Sequence, residues 1–340
     1  MAVEPNGVQV EHPGRRELAR RWGRLVSGRP GSVRRPIAFL VAAVIISGLV
    51  SPSFLSPGNA AALLTSTSFL VVLAVGEALV IMVGMIDLGV ESVLAASGML
   101  VAWLYVFHGW ATVPAVAATL GTGAAVGVVA GLLVSRVRIP SFIVTLGTYW
   151  GFRGIALLFN GGNYINPDSV KPPRPFGFAA IAGESGGVSH LIVVALIVVV
   201  LAQLIVSYTP LGSWLKATGS SEEAARAVGL RTPVVKVGVF AVSGLLAALA
   251  GVMITAWQDS IYPLTGQGYS LEAIAAVILG GIPFTGGRGT VVGAAVGALT
   301  IGVINDMIVL LALPSLYQYI FVAVILILAG LQARGSLFVK

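Results

Sequence analysis

The sequence predicts an all-α polytopic membrane protein, and three observations predict it. Hydrophobic residues make up 57% of the 340 residues, only 10% are charged, and the mean hydropathy is +0.96. Soluble domains carry about a quarter charged residues, so water is not the solvent for most of this chain. Apolar runs long enough to cross about 30 Å of hydrocarbon recur from end to end. Glycine occurs 43 times, which suits helices packed in lipid, where small residues let backbones approach.

The chain opens on a basic arm, residues 1–35, carrying Arg15, Arg16, Arg20, Arg21, Arg24, Arg29, Arg34 and Arg35. The net charge of +7 gathers here, just before the first apolar run. It reads as a cytoplasmic anchor against anionic lipid, not as a nucleic-acid surface. The arm is too long for a removable signal peptide and lacks a small-residue cleavage site.

Ten apolar segments follow: Ile37–Val50, Ala60–Val83, Val90–Phe107, Val113–Val134, Ile139–Phe159, Val188–Tyr208, Val234–Trp257, Leu271–Ile282, Val291–Leu313 and Leu316–Leu331. They make one transmembrane domain, residues 36–333, ahead of a short tail, 334–340. With the arm inside, alternate crossings put Arg136, Arg138, the polar island at 209–232 and the tail inside. The loops Gly161–Gly187 and Asp259–Gly268 fall outside, where Asp168 and Glu184 offset Lys171 and Arg174. Ten passes with both termini cytoplasmic satisfies the positive-inside rule.

Two segments are not simple spans. Leu271–Ile282 is about 18 Å of helix, too short to cross alone, and it runs into Gly280-Gly281-Ile282-Pro283 and Thr285-Gly286-Gly287-Arg288-Gly289. Met82–Ser92 is likewise broken by Gly84 and Gly89 and contains Asp87 and Glu91. Irregular backbone at membrane depth persists only inside protein or beside a wet cavity. A glycine-broken segment in each half of a chain points to a transport route and to an internal repeat. The glycines at spacing four, Gly123/Gly127/Gly131 and Gly289/Gly293/Gly297, make smooth helix faces, read here as packing within the chain in preference to a dimer face.

The polar island Tyr208–Thr232 concentrates charge in a chain that has little: Lys216, Arg226 and Arg231 against Glu222 and Glu223. Thr218, Ser220 or Ser221 can cap a short helix whose first turn holds the two acids. Ala224, Ala225 and Ala227 keep its body slim, and Gly229 stops it. Such a stub is marginal alone and gains stability by seating in a partner.

Four blocks resemble the permease subunits of ribose-type (monosaccharide) ABC importers: Gly84–Ser92, Ile139–Gly162, Leu211–Gly229 and Gly266–Leu299. Their order and spacing cover nearly all the chain. The first block departs from the family's usual Gly-Gly-Ile-Asp-Leu-Ser-Val-Gly-Ser at Met85, Gly89 and Glu91, and the fourth departs at Ile282-Pro283-Phe284. The resemblance implies a fold like that of the vitamin B12 importer group in a bacterial plasma (inner) membrane. It implies three partners: a second permease subunit, identical or different, a cytoplasmic ABC ATPase pair, and an extracytoplasmic sugar-binding protein. The ATPase contact it implies is the island, at Gly219, Ser220, Glu222, Glu223, Ala224, Ala225, Arg226 and Gly229. No Gly-x-x-x-x-Gly-Lys-Ser/Thr run is present, so ATP and magnesium are expected on the partner and no cofactor on this chain.

An ionisable group inside a span costs a few kcal/mol unless paired or hydrated, which makes Glu77, Asp87, Glu91, Arg153 and Asp306 informative. Asn160, Gln258 and Asn305 are candidate neutral partners. Tyr149, Trp150, Phe152 and Trp257 add aromatic surface of the kind that suits sugar rings. The expected pathway set is Asp87, Glu91, Tyr149, Arg153, Asn160, Gln258, Asn305 and Asp306, with helix-to-helix pairing as the structural alternative. An ion-coupled secondary transporter is the competing class, but the acids are few and no histidine lies mid-span. His12, His108 and His190 have no ligand spacing and cysteine is absent, so no metal site is expected. Gly183-Glu184-Ser185-Gly186-Gly187 matches a serine-hydrolase elbow formally, with His190 nearby. Its place in a glycine-rich loop favours a turn over a nucleophile.

Overall fold

The computed structural model describes residues 33–170, 177–314 and 316–337. Most of the basic arm, Lys171, Arg174 and residues 338–340 lie outside the described residues. Each of the ten apolar segments is a helix. They are α1 (Arg34–Val50), α2 (Pro57–Met82), α3 (Val90–Val106), α4 (Thr112–Leu132) and α5 (Ser141–Leu158), then a single turn α6 (Phe178–Ile181), and α7 (His190–Tyr208). Two short helices, α8 (Pro210–Ser220) and α9 (Glu222–Ala227), form the polar island. Then come α10 (Thr232–Gln258), α11 (Tyr269–Leu279), α12 (Val291–Leu310) and α13 (Leu316–Leu337).

Six of these are long and apolar enough to cross a bilayer: α2, α4, α5, α7, α10 and α12. In lipid a helix satisfies its backbone groups within itself, so the apolar runs have no better conformation. Their starts follow capping chemistry. Ser56 accepts from Asn59 N at 3.3 Å with Pro57 in the first turn. Thr290 accepts from Gly293 N at 3.0 Å to start α12. The last helix continues to Leu337, so residues 334–337 of the expected tail are helical.

α2 and α10 are the two pillars. Every residue of α2 from Thr67 to Met82 is buried, the signature of a helix enclosed on all sides. α10 packs on α4, α2 and α3 together. The α4–α10 contact explains the glycine spacing. A Cβ at Gly127 would collide with the Phe240 carbonyl, and one at Gly131 would lie 2.7 Å from Val237 Cα. Lipid tails are as apolar as leucine, so close backbone packing of this kind is what holds such helices together. The second glycine stripe packs inside the chain too, with Gly293 and Gly297 against Gly280 and Ala276. By contrast α5 and α7 keep broad apolar faces uncovered, including Trp150, Leu158, Leu196 and Leu201.

The connections α5–α7 and α10–α11 are more ordered than a plain loop. Glu184–Ser185 and Val188–Ser189 form a two-stranded antiparallel hairpin, β1 and β2, turned by Gly186 and Gly187. Ile165 pairs with Ile261 across these two connections. Asp259–Gly268 folds back against the bundle and does not project from it, as its contacts with α3 and α5 below show.

Candidate translocation and coupling site

Glu91 and Arg153 form a buried hub. Glu91 stands in the first turn of α3 and Arg153 in the middle of α5, and they are 3% and 5% exposed. Arg153 Nη2 lies 3.0 Å from Glu91 Oε1, and Arg153 Nη1 donates to the carbonyls of Pro263 (2.8 Å) and Thr265 (3.4 Å). Glu91 Oε2 accepts from Gly268 N at 2.9 Å and Ser270 N at 3.1 Å, the amides opening α11. A carboxylate at a helix N-terminus meets the positive end of its dipole. Ser270 Oγ adds a bond to the Leu88 carbonyl at 2.9 Å. The hub therefore ties α3, α5, α11 and the 259–268 loop at one point, with its charges compensated as a dry interior requires. The Tyr149 ring centroid is 5.7 Å from Arg153 Cζ, a cation–π contact.

The other expected pathway residues separate. Asp87 Oδ1 accepts from Gly89 N and Oδ2 from Ser243 Oγ on α10, both at 2.9 Å. Its amide donates to Glu77 Oε1 at 3.2 Å, and the fully buried Glu77 Oε2 has no partner among the described residues. Asn305 donates to Glu272 at 3.3 Å, while Asp306 accepts from Asn59 at 2.8 Å. Asn160 and Gln258 are exposed at helix ends. Asn160 takes a left-handed φ of 51° and donates to the Tyr164 carbonyl at 2.9 Å, so it ends a helix and is not brought to the other pathway candidates. Trp257, 41% exposed near the end of α10, packs on Phe69 with ring centroids 5.7 Å apart.

Sequence reasoning missed Glu272, Asn59, Ser243 and Ser270. Glu272 had a usable signal: it is an acid inside a short apolar segment. The other three are ordinary small polar residues until their partners are known. Between α4 and α5 runs an open groove of about 270 Å³ lined by Thr122, Val126, Val129, Leu133, Thr148 and Phe152. Its two hydroxyls are already bonded to carbonyls of their own helices, so it offers few groups to pair with a polar solute.

The broken segments are mostly buried, the first of the two surroundings that irregular backbone at membrane depth allows. Gly84, Thr285 and Arg288 are exposed, but Val83, Met85, Asp87, Ile282, Gly286 and Gly289 are buried. They meet one another: Gly287 N donates to the Met82 carbonyl at 2.9 Å, and a Cβ at Gly286 would lie 2.6 Å from Gly84 N. Gly84, Gly286 and Gly287 have φ of 77°, 73° and 75°, a backbone region other residues enter only with strain.

The island is two helices, not one stub. Ser221 caps α9 by accepting from Ala224 N at 3.2 Å, and Gly229 leaves it at φ 85°. Glu222 faces inward: it accepts from Arg226 (2.7 Å), Lys236 (2.8 Å) and Thr232 (3.0 Å). Partial burial alone would raise its carboxyl, but the hydrogen bonds of Lys236, Thr232 and Arg226 and the Lys236 charge hold it below the ordinary value. Ala225 is buried. The open face is formed by Glu223, Ala224, Ala227 and Val228, the last 84% exposed. Gly219 is half-buried against the broken segments and Ser220 is exposed.

On the other side, Ser185 Oγ and His190 Nε2 are 2.8 Å apart, and His190 Nδ1 meets the Ala180 carbonyl at 2.9 Å. Ser185 sits on a solvent-facing hairpin and not on a strand-to-helix elbow. The contact staples the hairpin to α6 and α7.

The family model described as branched-chain amino acid transport system / permease component matches residues 59–330. The chain is similar to the ribose import permease protein of Escherichia coli K12, 39% identical over 295 residues, 87% of this chain and 91% of the relative. It is 36% identical over 302 residues to the ribose import permease protein of Bacillus subtilis 168, covering 88% and 92%. It is 34% identical over 311 residues to the autoinducer 2 import system permease protein of Escherichia coli O9:H4, covering 89% and 87%. No solved structure matches the chain. With both broken segments, the buried hub and the α8–α9 pair all inside the matched region, the chain belongs to this family of transport-system permease components.

Proposed function

We propose that the chain is the membrane permease subunit of an ABC importer that carries a monosaccharide or a related small polar carbohydrate into the cytoplasm. The observation that carries the reading is the 39% identity to a ribose import permease over 87% of the chain. An ATPase partner supplies the energy, since this sequence has no phosphate-cradling Gly-Lys-Ser/Thr loop. A binding protein outside the cell delivers the solute, and a second permease subunit completes the route. The fold is of the vitamin B12 importer type, with ten crossings, both termini cytoplasmic and the bacterial inner membrane as its place. One transmembrane domain, 36–333, lies between the basic arm and the short tail. The α8–α9 pair, 209–232, docks on the ATPase through the open face at Glu223, Ala224 and Val228. Among the pathway candidates, Glu91, Tyr149 and Arg153 support this reading by meeting beside the first broken segment.

The test is uptake by vesicles holding the permease with its ATPase and binding protein, offered a panel of labelled pentoses, hexoses and branched-chain amino acids. ATP-dependent accumulation of one or a few carbohydrates is expected. Accumulation of amino acids alone would reassign the substrate, and uptake driven by an ion gradient without the ATPase would overturn the reading.

A further inference from the structure

The end of α8 lies wedged under both broken segments, with backbone against backbone. A Cβ on Gly219 would collide with the Met82 carbonyl and lie 2.6 Å from Gly287 N. A Cβ on Gly287 would collide with the Ser220 hydroxyl and lie 3.0 Å from Ser220 N. Thr285 O and Gly219 O both fall within 4 Å of the point a Cβ on Gly84 would occupy. Three pieces of chain thus touch at one point: the end of α2, the turn before α12, and the last residues of the ATPase-facing helix. The Met82–Gly287 bond clamps the first two together.

Contacts of this kind transmit displacement. A long side chain absorbs a shift by changing rotamer, whereas packed backbone has no such slack. α8 is itself held firmly at its other end, where a Cβ on Gly212 would collide with the Val206 carbonyl at the foot of α7. Leu215 is buried along its length. Beyond the joint, each broken segment leads to a different part of the bundle. The first passes through Asp87, bonded to Ser243 of α10, to the Glu91–Arg153 hub. The second passes to Gly280, which packs on Gly293 of α12. The Thr218 hydroxyl, buried beside the joint, has no partner among the described residues, so this contact is not fully satisfied in the present arrangement.

The geometry points to Gly219 as a positioning residue that delivers movement of the α8–α9 pair to both broken segments at once, with Gly286 and Gly287 as the receiving surface. This rests on the permease reading and adds to it a site of transmission, separate from the face that meets the ATPase. It also gives a reason for the glycines on both sides: any side chain would prise the three segments apart.

The test uses the assembled permease, ATPase and binding protein in lipid nanodiscs for hydrolysis and in vesicles for uptake. Gly219→Ala should keep hydrolysis near the wild-type rate while transport per ATP falls by about tenfold, the usual scale of a lost coupling. Gly238→Ala, near the start of α10, whose Cβ would meet nothing within 4 Å, controls for an added methyl and should leave that ratio unchanged. A Gly219→Ala complex with a wild-type ratio overturns the inference. Should Gly219→Ala fail to assemble, the pair Ser220→Cys and Thr285→Cys decides, since both positions are exposed and the chain has no native cysteine. A reducible cross-link between them should leave transport per ATP near the wild-type value, because the joined pieces move as one. Arrest of transport by the cross-link, relieved by reductant, shows that the contact must open and overturns the inference while leaving the permease reading intact. A wild-type complex that transports no solute with ATP overturns both.

Discussion

Arg153 Nη2 lies 3.0 Å from Glu91 Oε1, and both side chains are sealed inside the helix bundle. The two residues are 62 positions apart, and their pairing fixes α5 against the start of α3. Every acceptor around the guanidinium is matched: one carboxylate oxygen and the carbonyls of Pro263 and Thr265.

Removing one partner should therefore cost more than removing both. Arg153→Met leaves the Glu91 carboxylate uncompensated and should destabilise the fold by about 3–5 kcal/mol. The double variant Glu91→Gln with Arg153→Met should recover a measurable part of that loss, because the stranded charge is gone. Thermal unfolding in detergent, followed by fluorescence of the six native tryptophans, reads the cycle. Losses that simply add would show that the two side chains do not act as a pair.

Glycines that look alike in sequence should differ sharply in tolerance. Gly127→Ala would drive a methyl into the Phe240 carbonyl and should abolish folded yield or lower the melting temperature by several degrees. Gly151→Ala points into open space and replaces a poor helix former by the best, so the isolated subunit should be unchanged or gain up to about 1 kcal/mol. Size-exclusion profiles and melting curves of the two variants make the comparison. Equal damage from both would mean that the α4–α10 contact is not the tight one.

The broken segments should label selectively and not throughout. Single cysteines at Thr285 and Arg288, which are exposed, should react with a small polar thiol reagent in the resting state. Cysteines at Val83 and Met85, which are buried, should be protected. If the segments separate during transport, the protected pair should become reactive during turnover with the ATPase. Protection that never changes through the cycle would make these segments static packing.

The ten apolar helices were legible because lipid leaves a long apolar run no alternative to the helix, and charge was too scarce to obscure their ends. The α9 cap was legible for a similar reason, since Ser221, two acids and Gly229 mark a helix locally. Long-range pairing was not. Nothing in the local pattern says that Arg153 meets Glu91 and the Pro263 carbonyl, or that Asp306 bonds Asn59 near the start of α2. The glycine breaks announced irregular backbone, which sits either inside protein or beside a wet cavity. Backbone packed on backbone satisfies the same glycines equally well, and only three-dimensional neighbours distinguish the two.

Glu222 gives a last prediction, with a definite sign. Its carboxyl is held below the ordinary value in the folded chain: burial opposes ionisation, but bonds from Lys236, Thr232 and Arg226 prevail. A depressed carboxyl contributes stability that is complete well above its unfolded value and is lost as pH falls through the folded one. The contribution should thus be intact at neutral pH and begin to fade near the ordinary glutamate value of about 4.3. Because the group sits near the surface, the loss should be local: α9 and its turn to α10 loosen while the bundle stays folded. Hydrogen exchange over residues 222–232, corrected for the intrinsic rate, should rise on acidification below that value. Glu222→Gln should already exchange fast at neutral pH and show no such step. Matching pH profiles for the native chain and Glu222→Gln would show that the Glu222–Lys236 bond does not hold α9 in place.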